Sequence, residues 1–379
     1  MTIEPDALEA AARERTGLED LGDGSHREGL ERLCESLGKD GDLTEIGEMT
    51  LDFRLTMLLA SRLGIEDTYR AHPEIDEQEI EGPIVVIGLP RTGTTALSQL
   101  VAADPQVRSL RTWESAAPVP PPESATEHTD PRIAECAAGI EMMYESFPRM
   151  RALHHAEATT ATECQDLLGM SFKTFHFDGF AHVPGYTDWV VDCDMTAAYE
   201  YHRRTLRLLQ WHCPPNLWHL KTPVHMFALD ALVAAYPKAV FLWSHRDPAQ
   251  VLGSVADLVH YTRSWASDRD DATELGPQQL AAWSEATRRA MAFRDRVGDD
   301  RFADVFHADL QVDPLGALAK AYERLDLPFP ASSEQAVTAW AGAHPPGCHG
   351  SHEVDLADFN LSADQVHTAF ADYLDRFGS

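Results

Sequence analysis

The chain is 379 residues long and 44% hydrophobic, enough for one large domain or a domain with appended helices. Its 61 acidic against 31 basic residues give a formal net charge of −30, which argues against nucleic acid and anionic membrane surfaces as general partners. No apolar run approaches the ~20 residues that span a bilayer, and six cysteines without a C-x-x-C pair, behind an N-terminus lacking a basic-then-apolar leader, predict a reduced cytoplasmic setting.

In chain order, residues 6–15, 25–38 and 46–63 carry amphipathic helical patterns, interrupted at Gly22-Asp23-Gly24. This N-terminal segment, residues 1–80, holds no binding motif and reads as a helical cap or a surface for a partner, a second copy of the chain included. Pro83 to Ile87 is an apolar, β-branched run that predicts a buried strand, and Thr94 to Ala102 reads as the opening of a helix. Between them, Gly88-Leu89-Pro90-Arg91-Thr92-Gly93-Thr94-Thr95 has the glycine spacing of a P-loop, with Thr94 where a nucleotide triphosphatase keeps its lysine. Further strands are expected near 107–110, 217–220, 239–244 and 302–306, with helices near 130–146, 196–212, 224–235, 248–261 and 276–297. Closing helices follow at 313–325 and 362–377. This alternation predicts an α/β, P-loop-like three-layer fold around a central parallel sheet of about five strands, with ligands at its carboxyl edge. The main domain is expected over 81–379, with an insertion at about 115–215 assigned to acceptor binding.

A loop of this shape aims backbone N–H groups and a helix N-terminus at an anion, while the missing lysine argues against a grip on β- and γ-phosphates. Pro90 and Gly93 punctuate the turn, and the hydroxyls of Thr92, Thr94 and Thr95 offer donors. Arg91 adds a planar cation suited to sulfate or phosphate oxygens. A second anion site is expected where the 239–244 strand runs into His245-Arg246-Asp247-Pro248. Arg246 and Ser254, eight residues apart, can converge there on one phosphate. Taken alone, that pair reads rather as an Arg–Asp loop contact and a solvent-facing serine.

Together the two sites resemble the sulfotransferase family that uses 3′-phosphoadenosine 5′-phosphosulfate as donor. In that family a P-R-T-G-T-T-like loop wraps the 5′-phosphosulfate, and an Arg and a Ser at this spacing hold the 3′-phosphate. The resemblance implies those roles for Pro90 to Thr95 and for Arg246 and Ser254. Leu220-Lys221-Thr222-Pro223-Val224-His225, Tyr236-Pro237 and the R-D-P run look like the core of the bacterial branch, and the recognisable stretch runs from about Gly82 to Ser254. The family often closes over the 3′-phosphate with a basic, glycine-containing C-terminal segment; here Cys348-His349-Gly350-Ser351-His352 offers histidines instead, making His349 and Gly350 donor-contact candidates. The alternative use of Cys348, His349 and His352 as metal ligands is disfavoured for want of a fourth partner, and no metal is expected.

Sulfuryl transfer should resemble phosphoryl transfer, with charge developing on the SO₃ oxygens and on the leaving phosphate. Arg91 and Lys221 are the cations expected to meet it, Lys221 standing at the end of the 217–220 strand. The resemblance gives the matching lysine the same role. Glu114 is the expected general base, at the edge of the second strand with Trp113 to desolvate it; related sulfotransferases place a glutamate at about this distance after the loop. Glu163, His154, His155 and His225 remain alternatives or acceptor contacts. Glu163 also fits a capping box, Thr160-Ala161-Thr162-Glu163, and His225 a helix cap. Phe172, Phe175, Phe177, Phe180, Tyr186 and Trp189 line either an apolar acceptor pocket or a small helical core. The expected activity is sulfuryl transfer to a hydroxyl of a small molecule, lipid or glycoside. A P-loop kinase and a catalytically silent nucleotide-binding scaffold are the alternatives.

Overall fold

The computed structural model describes residues 3–345 and 354–378. Five strands, β1 (Ile84–Gly88), β2 (Val107–Ser109), β3 (Leu217–Lys221), β4 (Val240–His245) and β5 (Phe302–Phe306), pair in parallel in the order β2-β3-β1-β4-β5. Every residue of β1 is buried, because a parallel strand covered on both faces has no solvent side, and this is why it reads as an unbroken apolar run. Alternate side chains nonetheless serve different cores. Val85 and Ile87 join Trp218, Phe241 and Trp243 on one face, while Ile84 and Val86 join Leu97, Leu242 and Leu318 on the other.

The N-terminal segment forms α1 (Pro5–Thr16), α2 (Arg27–Asp40) and α3 (Glu45–Ala71). The break is a turn in which Gly22 and Gly24 take φ of 80° and 75°, values that favour glycine. The wholly buried Arg62 of α3 fastens this turn, donating to the Leu21 carbonyl at 2.6 Å and to the Asp23 carboxylate at 2.7 Å. Leu8, Leu33, Leu55 and Leu63 pack into the same core as Trp218 and Phe241, so these helices share apolar packing with one face of the sheet. α3 starts where the Thr44 hydroxyl accepts from the Gly47 N–H and runs to Ala71, well past the expected 63.

Between β2 and β3 the chain inserts several helices, among them Pro131–Ser146, Pro184–Asp192 and Thr196–Gln210. Most of its aromatic stretch is core: Phe172, Phe175, Phe177 and Tyr186 are buried, and the Tyr186 hydroxyl donates to the Phe172 and Thr174 carbonyls at 2.8 and 3.1 Å. β1 lies between β3 and β4, so successive crossovers leave it in opposite directions and a crevice opens at the carboxyl ends of these three strands. Gly88, Lys221 and His245 stand at that edge.

Candidate functional site

β1 ends at Gly88 with φ 139°, where a Cβ would come within 2.5 Å of the Ser244 carbonyl oxygen, so only glycine lets the loop leave the sheet so close to β4. Ser244 also donates its hydroxyl to the Thr92 carbonyl at 2.6 Å. The loop then turns through Arg91 (φ 68°) and Gly93 (φ 91°) into α4 (Thr94–Ala102). The first turn of such a helix presents N–H groups without intrahelical partners to the crevice, as anion binding requires. One expected donor is corrected. The Thr92 hydroxyl is wholly buried and donates to the Leu89 carbonyl at 2.7 Å, so it shapes the loop and does not face a ligand.

Two cationic centres flank the loop. At the first, Arg91 Nε donates to the Ser254 hydroxyl at 3.2 Å and its Nη1 to the Leu153 carbonyl at 2.8 Å, while Arg246 Nη1 reaches the Arg91 carbonyl at 3.4 Å. Burial, and then the charge of Arg246, lower the Arg91 guanidinium from its usual range. Two arginines so crowded repel each other, a cost that a bound anion would offset. Ser254 is the third residue of the helix Leu252–Arg263, in its first turn and not two turns along as its sequence distance suggested. His307, which no local pattern signals, packs beside the loop: a Cβ on Gly93 would lie 3.1 Å from its ring.

At the second centre, Lys221 is buried at the end of β3, its Nζ 3.2 Å from the Thr95 hydroxyl of the loop and 2.6 Å from Glu163 Oε1. Glu163 Oε2 accepts from the Thr222 hydroxyl at 3.1 Å and from Gln165 Nε2 at 3.0 Å. Burial pushes the Glu163 carboxyl upward, but the Lys221 ammonium, His154 and the Gln165 amide together outweigh it and hold the group down at about 2. The capping-box reading of Glu163 is thereby corrected, since the following helix, Gln165–Gly169, has no side-chain cap. Glu163 also lines a cavity of about 250 Å³ beside Pro90, with His154, Phe175, His176 and Trp283 among its walls. Burial, with Arg54 nearby, holds the His176 ring at about 4, so it is neutral near pH 7.

Glu114 is elsewhere. Thr112–Ala116 folds as a short helix, not a strand edge, and Glu114 is wholly buried in its first turn. Its Oε2 accepts from the Arg111 N–H at 3.1 Å and its Oε1 from the guanidinium groups of Arg108 and Arg111, at 2.6 Å for Arg111. A carboxylate so occupied has no open face for an acceptor proton, and Trp113 packs against the guanidiniums of Arg111 and Arg132. His225 is also buried, its Nδ1 2.8 Å from the Tyr199 hydroxyl, and caps nothing. His155 is exposed, 3.3 Å from Glu157, while its neighbour His154 lines the cavity. His349 and Gly350, with Cys348 and His352, lie outside the described residues. Among the described residues no group of three or more His, Cys, Asp or Glu is placed to hold a metal, and no helix is long and apolar enough to cross a membrane.

The sheet order, the loop and its two cationic centres define a cationic crevice on a P-loop-like scaffold. The family model described as "Sulfotransferase family" matches residues 83–331, and the chain belongs to that family. Its fold is that of two solved sulfotransferases. STF9 from Mycobacterium avium is 31% identical with a TM-score of 0.92, over 100% of this chain and 97% of that one. STF1 from Mycobacterium tuberculosis H37Rv is 32% identical with a TM-score of 0.88, over 98% of this chain and 99% of that one. The omega-hydroxy-beta-dihydromenaquinone-9 sulfotransferase Stf3 of Mycobacterium bovis is 26% identical over 260 residues, covering 65% of this chain and 63% of Stf3, just under two thirds of that relative's length. Membership sets aside the kinase alternative.

Proposed function

We propose that the protein transfers a sulfuryl group from 3′-phosphoadenosine 5′-phosphosulfate to an alcohol. The observation that carries this reading is the position of Lys221, which touches both Thr95 of the anion loop and Glu163 of the adjoining cavity. Arg246 and Ser254 hold the 3′-phosphate together with Arg91, which was expected at the sulfuryl group but bonds to Ser254, and the N-terminus of α4 holds the phosphosulfate. With sulfuryl oxygens at the loop, Lys221 turns from Glu163 to the new anion, and the freed carboxylate recovers basicity beside the acceptor. The acceptor oxygen bonds to sulfur as the bond from sulfur to the phosphate oxygen breaks. The electron pair leaves with the nucleotide bisphosphate, and the hydroxyl proton passes to Glu163. Stf3, by its name, works on a hydroxylated molecule, which supports an alcohol as acceptor. Cys34, Cys136, Cys164, Cys193 and Cys213 are unpaired, which supports a reducing, cytoplasmic setting.

Adenosine 3′,5′-bisphosphate without metal should raise the thermal midpoint, by the equivalent of about 2.7 kcal/mol at a hundredfold excess over its Kd, and ATP with Mg²⁺ should raise it far less. Arg246→Ala should weaken the bisphosphate about tenfold to a hundredfold. Equal stabilisation by ATP, or an unchanged bisphosphate affinity in Arg246→Ala, overturns the reading.

A further inference from the structure

A second and larger hollow, about 740 Å³, adjoins the reaction cavity. Arg54 and Asp166 line both spaces, joined by an ion pair of 2.8 Å, and the Arg54 guanidinium lies 4.4 Å from the centre of the Phe180 ring. Beyond that pair the walls turn apolar: Leu51, Met57 and Leu58 from α3, Met170, and the rings of Phe147 and Trp265, stacked 3.9 Å apart. Ile46 and Phe53 of α3 line this hollow too, 72% and 59% exposed, and Met49, 68% exposed, stands between them in one stripe at helical spacing. Large apolar side chains so exposed and contiguous with a hollow mark a binding surface.

We propose that this hollow is the subsite for the hydrocarbon tail of the acceptor, so that the substrate class is a long-chain lipid alcohol. The inference rests on the reaction cavity being the acceptor site, and the continuity of the two spaces names the occupant. A hydroxyl beside Glu163 sets the remainder of its molecule against walls shared with the larger hollow, at Arg54 and Asp166, and the surface beyond that pair is hydrocarbon, whereas the hollow reached past Phe175, Asp178 and Gln279 is smaller and lined by Asp188, Asp192 and Glu285. The Arg54–Asp166 pair divides the polar end from the apolar one. Its stem and stacked guanidinium let a chain pass over carbon while the charge stays paired. A compact glycoside would leave the apolar stripe bare.

The test reads binding without turnover. ω-Bromohexadecanol should quench tryptophan fluorescence in the intact protein, and Trp265→Phe, which keeps the stacked ring, should remove most of that quench. Butanol should displace none of it. Phe53→Asp, at an exposed position that does not challenge folding, should weaken binding about tenfold, and Met57→Glu at least as much. Turnover of butanol, followed with labelled donor, should be unchanged in both variants. Quenching that survives Trp265→Phe, or equal affinity in Phe53→Asp, overturns the tail subsite even if butanol is sulfated. Absence of any sulfated product with tail-dependent quenching intact would instead sink the proposed transfer. A change of oligomeric state in Phe53→Asp, with no quenching by the alcohol, would assign the stripe to a second copy of the chain and overturn the proposal.

Discussion

The proposed donor and acceptor halves of the crevice are built in opposite ways. The donor half comes from two short stretches, Gly88 to Thr95 and His245 to Ser254, each a strand running through a turn into a helix. The acceptor half takes Arg54 from α3, Glu163 and His176 from the insertion and Trp283 from the helix Ala272–Val297, parts that meet only in the folded chain. The difference follows from what each half must recognise. Phosphate and sulfate oxygens are held by successive backbone N–H groups and fixed cations, which demands contiguous residues in one conformation. An apolar acceptor needs a shaped surface, and any segment can supply a patch of it.

The largest effect expected is at Glu114, and it separates the two halves from the framework behind them. Glu114→Gln removes the charge that Arg108 and Arg111 share in a buried cluster, with Glu127 as their remaining partner at 3.3 and 2.7 Å. Breaking a buried pair on one side costs about 3 kcal/mol or more. Denaturant unfolding should show that loss, while turnover per folded molecule stays within a few-fold. A loss of about 10²–10⁴ in turnover with stability unchanged would return Glu114 to the general-base role.

The same contrast explains what was legible beforehand. The five strands, their parallel sense and the turn between β1 and α4 were readable because β1 and β4 are continuous apolar runs and the loop's residues are local, whereas the order β2-β3-β1-β4-β5 was not. Arg246 and Ser254 were paired on their spacing; in the folded chain each bonds to Arg91, and Ser254 sits at the start of its helix. Glu114 misled because Arg111-Thr112-Trp113-Glu114 is a sequence in which the glutamate side chain returns to the Arg111 N–H, a helix start that resembles a strand end when read by composition alone. Arg54 gave no local signal at all: within α3 it is one charged residue on an amphipathic helix, and only tertiary packing sets it against Phe180 and Asp166.

At the junction of the halves, Lys221→Met should lower turnover by about 10²–10³, the usual cost of one preorganised donor to developing charge. Glu163→Gln should lower turnover by about 10², with the bisphosphate affinity kept. Because the ammonium and the carboxylate act as one unit, the double variant should fall little below Lys221→Met alone. Additive losses would mean that each serves its own half, and the proposed exchange of Lys221 between Glu163 and the anion would fail.

The effect smallest per pH unit is on stability against pH, and it arises behind the acceptor half. His202, on the helix Thr196–Gln210, has its Nδ1 2.6 Å from the Tyr236 hydroxyl, and His219 on β3 has its Nδ1 2.8 Å from the Ser109 hydroxyl. Burial holds each ring at about 3, against an ordinary 6.5. The unfolded chain therefore binds protons below pH 6.5 that the folded chain refuses, and stability falls as pH drops from 6.5 towards 3. Each ring contributes about 1.4 kcal/mol per pH unit within that window. Glu163 acts lower: its depressed carboxyl adds stability that is present above its ordinary 4.5 and lost as pH falls through about 2. Denaturant unfolding across this range should show the decline beginning near pH 6.5, and His202→Gln should flatten the slope by about 1.4 kcal/mol per unit. An unchanged slope in that variant, or a decline that begins only in the carboxylate range, would show that neither buried ring drives the acid limb. The arginines of the donor half keep their charge throughout, but His245 at its edge, lowered by burial, shares in the same acid loss.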